Sequence, residues 1–406
     1  MRREFWTEFD LHRMEDKKSI IDYFVGRTHS PPSQKLKQIQ DPIARYQLLA
    51  QLAAIDEEIS FLDAKGKERS VAAKDYARTG ALQYNEPSGL LYWYHAFASN
   101  KQIDPRKAEG PFQGFLSDQL RWMQAVLGPT VSLPTAAPST PDLSVFPTGA
   151  WALGFTFVLQ KPCISKDDRE FYILDNPVRK EWVFQVPYIA PSQWKGALRA
   201  AMVQELKWWW KGLSNDEKAA RIEEFAERRF RMTLLFGDEK GEEPGTLKGL
   251  ARYLDKLGGE KAANLYREKV KKFFGMEAEP SLPRHRGWLH FYPTYFDRIG
   301  LEVINPHSRE TGAGKQPIYF ECVPVGTKGN FTLLYVPLGD VSEDDMRADF
   351  RAVTQGLKAM FTVYGFGAKT SSGFGRAKVH WRKEEGAEVQ PEEDLWEEWE
   401  KIWQDG

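Results

Sequence analysis

Two cysteines, Cys163 and Cys322, are all this 406-residue chain contains. So few argue against a disulfide framework and against a zinc site built on cysteine, and they suit a reducing cytoplasm. No apolar run approaches the roughly 20 residues a membrane-spanning helix needs, so no membrane partner is expected. The opening MRREFWTEFDLHRMEDKK carries basic and then acidic residues and no apolar core of a secretory signal. A net charge of −1 argues against general stickiness toward polyanions. The most informative absence is local. From Phe350 to Lys383 there is no Asp or Glu, while Arg351, Lys358, Lys369, Arg376, Lys378, Arg382 and Lys383 all carry positive charge. Glu384 and the residues after it are strongly acidic. A basic zone on a neutral chain points to a groove for a polyanion. A solvated surface is the plainer alternative.

What is present is aromatic mass, 14 Trp and 25 Phe, and enough length for two domains. Residues 1–145 read as mostly helical. Ala44–Ala64 and Gly114–Gly128 place apolar residues at helical spacing, and the second stops on Gly128-Pro129. Pro129–Gly149 is rich in Pro, Ser and Thr and reads as an extended linker, with the domain boundary in it. From Trp151 the texture changes. Trp151–Gln160 and Val183–Ala190 read as strands. A helix comes next with Ser192 as its N-cap, placing Leu198, Met202 and Leu206 on one stripe and Lys195 and Arg199 on another. Asn215–Gly275 reads as charged and helical, interrupted at Leu234–Gly245. Strands return at Arg286–Phe296 and Asn330–Leu338. The next helix opens on Ser342 with Glu343–Asp345 at its positive end. A glycine-rich stretch and the strand Arg376–Trp381 come after it. An acidic helix with Trp396, Trp399 and Trp403 at helical spacing closes the chain. The order is that of an α+β, ferredoxin-like (RRM-like) fold with insertions. The expected domains are residues 1–145 as a helical extension, 146–383 as the ferredoxin-like domain and 384–406 as an acidic helix.

The glycine-rich stretch is GFGAKTSSGFGRAKV, Gly365–Val379. Gly365/Gly367 and Gly373/Gly375 flank Lys369, Thr370, Ser371 and Ser372. Glycines permit positive φ and close backbone approach to a ligand. Amides, hydroxyls and Lys369 then offer donors to phosphate oxygens. A dinucleotide fingerprint needs a strand before it and a helix after it, and here that order is reversed. The G-x-x-x-x-G-K-[ST] of a Walker loop is absent. A flexible hairpin is the bland alternative.

These residues resemble the RAMP superfamily, whose glycine-rich loop has this form after the last helix of a ferredoxin-like fold. Three further blocks are similar to that family. Leu174–Met202, LDNPVRKEWVFQVPYIAPSQWKGALRAAM, resembles the D-[NS]-P-V stretch and "P-x-I-P-G-S-S-L-K-G-x-L-R" of type III CRISPR backbone subunits. Leu234–Glu242 resembles its LFG turn. Arg286–Phe296, with Glu302–Gly312 after it, resembles its "G-x-L-x-F" strand and the adjoining segment. Together they span about residues 151–382. The resemblance implies a subunit that grips guide CRISPR RNA, splays its bases and meets single-stranded target RNA beside other RAMP and large subunits of the effector complex. It places RNA contacts at Lys195, Arg199, Lys369, Thr370, Ser371, Ser372 and Arg376.

In catalytic members of that family, the Asp of the D-[NS]-P-V stretch cuts target RNA, and Asp175 stands there. The resemblance thus implies a divalent metal, Mg, at Asp175 and attack by the 2′-hydroxyl on the adjacent phosphorus. Asp-Asn-Pro is also good turn chemistry, so Asp175 as a turn residue is the alternative. The sequence departs from the family here: ISKDDREFYI replaces the usual glycines before the block, and Ala190–Trp194 replaces "G-S-S-L". A non-catalytic capping or scaffold subunit is therefore the second reading. A guide-precursor processing ribonuclease is a third, with His285, His290 and His307 to consider.

Overall fold

The computed structural model describes residues 58–62, 67–72, 111–128, 133–134, 136–165, 176–238, 249–279, 282–305, 312, 318–339 and 341–404. In chain order its elements begin with β1 (Glu58–Leu62), β2 (Glu68–Ala72), α1 (Pro111–Leu127), β3 (Trp151–Leu159) and α2 (Pro191–Gly212). Next come α3 (Asn215–Ala220), α4 (Ile222–Phe236), α5 (Gly249–Phe273), β4 (Leu289–Phe291), β5 (Gly300–Ile304) and β6 (Ile318–Cys322). The chain finishes with β7 (Lys328–Tyr335), α6 (Glu343–Ala359), β8 (Ala377–His380), β9 (Glu388–Gln390) and α7 (Glu392–Gln404). Two compact units are present. One draws on residues 1–131, 161–188 and 295–327, and the other on 132–160, 189–294 and 328–406.

The second unit is built on an antiparallel sheet in the order β8-β3-β7-β4. β3 lies against β7 along nearly its whole length, from Trp151↔Tyr335 to Val158↔Lys328. Its other edge is shared: β8 pairs with Thr156–Leu159 and β9 with Ala152–Gly154. Alternation sends Phe155 and Phe157 to one face. Phe155 meets Phe361, Trp399 and Trp403 there, and Phe157 meets Trp194, Phe361 and Phe366. Trp151 stacks on Tyr335 at 4.8 Å on the same face. Each ring buried in this way contributes on the order of 2–3 kcal/mol.

α2 and α6 cover that face. The stripe Leu198, Met202, Leu206 is buried, as its spacing predicts. On α6 the buried set is Met346, Phe350, Val353 and Leu357. Their crossing needs Gly356, where a Cβ would stand 2.5 Å from Met202 Cγ and 3.1 Å from Leu198 Cδ1. α6 is capped as expected, with Ser342 Oγ accepting from the Asp345 N–H at 3.2 Å. α2 is not. Pro191 occupies its first position, Ala190 sits at the cap, and the Ala190 N–H donates to Gln193 Oε1 at 2.9 Å, so Ser192 is no cap. α4 ends at Leu235-Phe236-Gly237, the LFG turn, on Gly237 with φ +81°.

The opposite face of the sheet carries Ala152, Gly154, Thr156 and Val158 of β3 and Asn330, Thr332 and Leu334 of β7. The Pro-rich segment read as a linker covers it. Asn330 Nδ2 donates to Leu133 O at 2.7 Å and Ala136 O at 2.9 Å. The Thr140 N–H and hydroxyl both donate to Glu388 Oε2. Leu143 and Phe146 pack on Ala152, Leu334 and Val336.

The first unit contains the hairpin β1/β2, paired from Glu58↔Ala72 to Leu62↔Glu68, and the hairpin β5/β6. The strand at Glu58–Leu62 corrects the helical reading of Ala44–Ala64 over those residues. Ile59 and Phe61, with Glu58, Ser60 and Leu62, alternate as a strand does. The fold is thus mixed α and β, and the mostly helical extension expected over residues 1–145 includes a hairpin. α1 holds where predicted and stops at Gly128, φ +72°.

Candidate nucleic-acid interface

The glycine-rich loop is anchored at its base and exposed at its tip. α6 widens into a π turn, Met360–Tyr364, closed by the Gly365 N–H on Met360 O at 2.8 Å. Phe366 then enters the core and meets Trp194 at 4.6 Å and Phe361 at 5.3 Å. Its N–H donates to Gly375 O at 3.2 Å, which closes the loop on itself. Gly375 (φ +72°) fits only as glycine, because a Cβ would fall 1.8 Å from Phe366 O. Gly365 (φ +76°) is similar, with Phe374 O at 2.3 Å. Gly367 and Gly373 also have positive φ, +85° and +84°. All four glycines named from the sequence therefore hold left-handed backbone.

At the tip, Lys369 itself is left-handed, φ +57° and ψ +31°. A side chain in that region costs about 1 kcal/mol or more, and such strain clusters at functional sites. Thr370–Ser372 form a single 3-10 turn, with the Ser372 N–H on Lys369 O and the Gly373 N–H on Thr370 O. Lys369, Ser371 and Ser372 are exposed, and Thr370 is half-buried. Arg376 is half-buried, and its Nε donates to Gly373 O at 3.3 Å. It braces the turn as well as carrying charge.

Lys195 and Arg199, four apart on α2, are both half-buried on one stripe. Trp194 touches Phe366, so the turn of α2 that carries Lys195 lies at the base of the loop. The structure adds Arg286, a cation that the sequence reading passed over, and places it with Lys195 near His290. Burial lowers the pKa of His290 first, and the positive charges of Arg286 and Lys195 lower it further. The R-x-x-x-H spacing at the start of β4 is the only signal that could have found Arg286. His285 is set differently. Its ring lies on Asp238 Oδ1 at 2.9 Å and Thr233 O at 2.8 Å, a structural position. His307 lies outside the described residues.

The acid-free stretch is only partly open. Its flanks are covered by α7, whose Trp399 is buried and donates to Trp381 O at 2.8 Å. Arg351 pairs with Glu398 at 2.9 Å, Lys358 donates to Ile402 O at 2.7 Å, and Lys383 pairs with Glu392. A cleft lined by α2, α4 and α6 holds further arginines, but Arg231 is paired with Asp345 and Asp349, and Arg228 with Glu224. The sheet offers no alternative. Its aromatic rings turn into the helical layer, and the face away from the helices is covered. The loop tip is thus one place where the basic zone meets solvent, and Arg382 beyond it is another.

Asp175 lies outside the described residues. The residues just after it are tightly held within the first unit. Asn176 O accepts from the Glu321 N–H at 2.9 Å, and Asn176 Nδ2 donates to Tyr319 O at 3.3 Å. Buried Glu321 accepts from the Val178 N–H at 3.1 Å and from Lys180 Nζ at 2.5 Å. A braced turn then presents Trp182, 76% exposed, with Glu181 Oε2 accepting from the Val183 and Phe184 N–H groups at 2.7 Å. Among the described residues no group of three or more His, Cys, Asp or Glu is placed to hold a metal ion. Also among them, no helix is long and apolar enough to cross a membrane.

No curated protein matches the chain. Among solved structures, a chain of the type III-B Cmr-beta complex bound to cognate target RNA, seen by cryo-electron microscopy, is similar. It shares 15% identity over 94% of both chains, with a TM-score of 0.37. The crystal structure of Cmr6 from Pyrococcus furiosus shares 16% identity over 57% of this chain and 98% of its own, with a TM-score of 0.27. The RAMP superfamily model matches residues 170–378, which take in the α2 stripe and the anchored glycine-rich loop. With just over half of its length matched, the chain belongs to the RAMP superfamily.

Proposed function

We propose that this chain is a guide-RNA-binding subunit of a type III CRISPR ribonucleoprotein, and that it grips the RNA backbone with its glycine-rich loop. The anchored, strained and exposed loop carries this reading. Its base is fixed by Phe366 and Gly375, so Lys369, Thr370, Ser371 and Ser372 face an incoming strand without first being ordered. Lys195 and Arg199 extend the contact along α2. The scaffold is a ferredoxin-like domain. The sheet order β8-β3-β7-β4, with α2 and α6 on one face, supports that name. Guide RNA, single-stranded target RNA and neighbouring RAMP and large subunits are its partners.

Target cleavage by Asp175 is part of the same proposal. The 2′-hydroxyl of one nucleotide attacks the adjacent phosphorus, a cyclic 2′,3′-phosphate forms, and the 5′-oxygen leaves with a proton. Asp175 would orient the attacking hydroxyl or accept its proton. The hydrogen bonds of Asn176 and Val178 to β6 support it by fixing the chain just beyond. A divalent metal such as Mg would neutralise charge on the phosphate. Asp175 would hold it, since Glu321 is committed to Val178 and Lys180. The second reading is a capping or scaffold subunit that binds without cutting. The departures before Asp175 favour it. Mapping target-RNA cuts with the assembled complex separates the two. The account expects Asp175→Asn to lose one cut while RNA binding persists, whereas an unchanged cut pattern leaves the scaffold reading. Guide binding is tested separately by Lys369→Ala and Arg199→Ala, each of which should weaken it.

A further inference from the structure

We propose that Trp208 and Tyr364 form a base-stacking platform beside the glycine-rich loop, on which single-stranded RNA held by the loop lays a base. This rests on the reading of the loop as a phosphate grip. The platform begins where α6 leaves regular geometry. The π turn Met360–Tyr364 adds a residue to the last turn, and such turns are frequent at functional sites. Here it leaves Val363 61% exposed. It also carries Tyr364 to α2, where the tyrosine hydroxyl donates to Glu205 Oε1 at 2.7 Å. The Trp208 side chain lies beside the same hydroxyl. Two rings from two elements thus meet at one oxygen, with Tyr364 held by Glu205.

The three tryptophans at the end of α2 differ in use. Trp210 is buried, and its indole N–H donates to Leu257 O at 2.9 Å. Trp209 is half-buried with the Arg228 guanidinium 4.0 Å above it. Trp208 stays 59% exposed, with the Lys207 ammonium 5.0 Å from its ring centre. Packing within the second unit therefore accounts for two of the rings and leaves Trp208. Tyr364 is bonded directly to Gly365, so the platform starts one residue before the loop. An exposed π surface with a cation, next to donors for phosphate, is what unpaired nucleic acid requires. A protein partner, whose contact surfaces also favour tryptophan and tyrosine, is the competing occupant, and the test separates it. Stacking tolerates every base, so the ligand is unpaired RNA of any sequence.

The test uses the full chain and a set of single-stranded RNAs in which one abasic ribose is walked along the strand. Binding is measured at several salt concentrations for Trp208→Ala and Trp208→Phe, with thermal melting as the folding control. Trp208→Ala should weaken binding about tenfold. Trp208→Phe should restore most of it, and the salt slope should match wild type because no phosphate contact is lost. An abasic ribose at one position should erase the difference between Trp208→Ala and wild type. Unchanged affinity overturns the platform. A loss that no abasic position erases overturns it too. So does normal RNA binding with impaired assembly onto purified partner subunits, which would make Trp208 a protein contact. Lys369→Ala distinguishes the levels of failure. If it keeps wild-type affinity and slope, the phosphate-grip reading fails and takes the platform with it. If it weakens binding while Trp208→Ala does not, only the platform falls.

Discussion

Arg351, Lys358 and Lys383 belong to the same acid-free stretch as Lys369 and Arg376, yet the fold uses the two sets differently. The first set meets α7: Glu398, the carbonyl of Ile402 and Glu392. The second stands on a loop whose base is pinned and whose tip is exposed. A count of positive charge treats these residues alike. Structure separates charge that holds a C-terminal helix from charge on an exposed loop tip, and the latter is the better placed to meet a phosphate.

Five substitutions probe that division. Trp399→Ala should have the largest effect, about 3–5 kcal/mol of stability in chemical denaturation, because it empties the contact between α7 and Phe155. Gly375→Ala should come next. It forces a Cβ against Phe366 O, and about 2 kcal/mol or more of stability should go together with most RNA affinity. Gly367→Ala, at an exposed positive-φ site, is the milder control. Lys369→Ala should leave melting unchanged while lowering RNA affinity several-fold and the salt slope by about 1. Arg351→Ala should be smallest, under about 1 kcal/mol of stability for a half-exposed ion pair, with RNA binding unchanged. Reversed RNA effects at Lys369 and Arg351 would break the comparison.

What the chain revealed before folding came from local rules. The stripe of Leu198, Met202 and Leu206 is a 3.6-residue period, and such a period has one outcome against a sheet. The loop was legible because four glycines in eleven residues serve backbone that side chains avoid, and each proved left-handed. What stayed hidden depends on distant partners. Pro129–Gly149 has the composition of a free linker, and only Asn330, nearly 200 residues away, shows that it covers a sheet face. Trp396, Trp399 and Trp403 marked an amphipathic helix. Opposite charge suggested the basic zone of its own chain as a partner, and Arg351, Lys358 and Lys383 meet it there. Ser192 was misread as a cap because Pro191 and Gln193 perform that task together. Arg286 drew no notice because a single cation beside a strand carries no pattern.

The most direct measurement is the salt dependence of guide-RNA binding by the intact chain, compared across wild type, Lys369→Ala and Arg351→Ala. The account predicts a slope lower by about 1 for Lys369→Ala and an unchanged slope for Arg351→Ala. Equal slopes for all three proteins, or a loss only in Arg351→Ala, would contradict the assignment of the glycine-rich loop as the RNA grip.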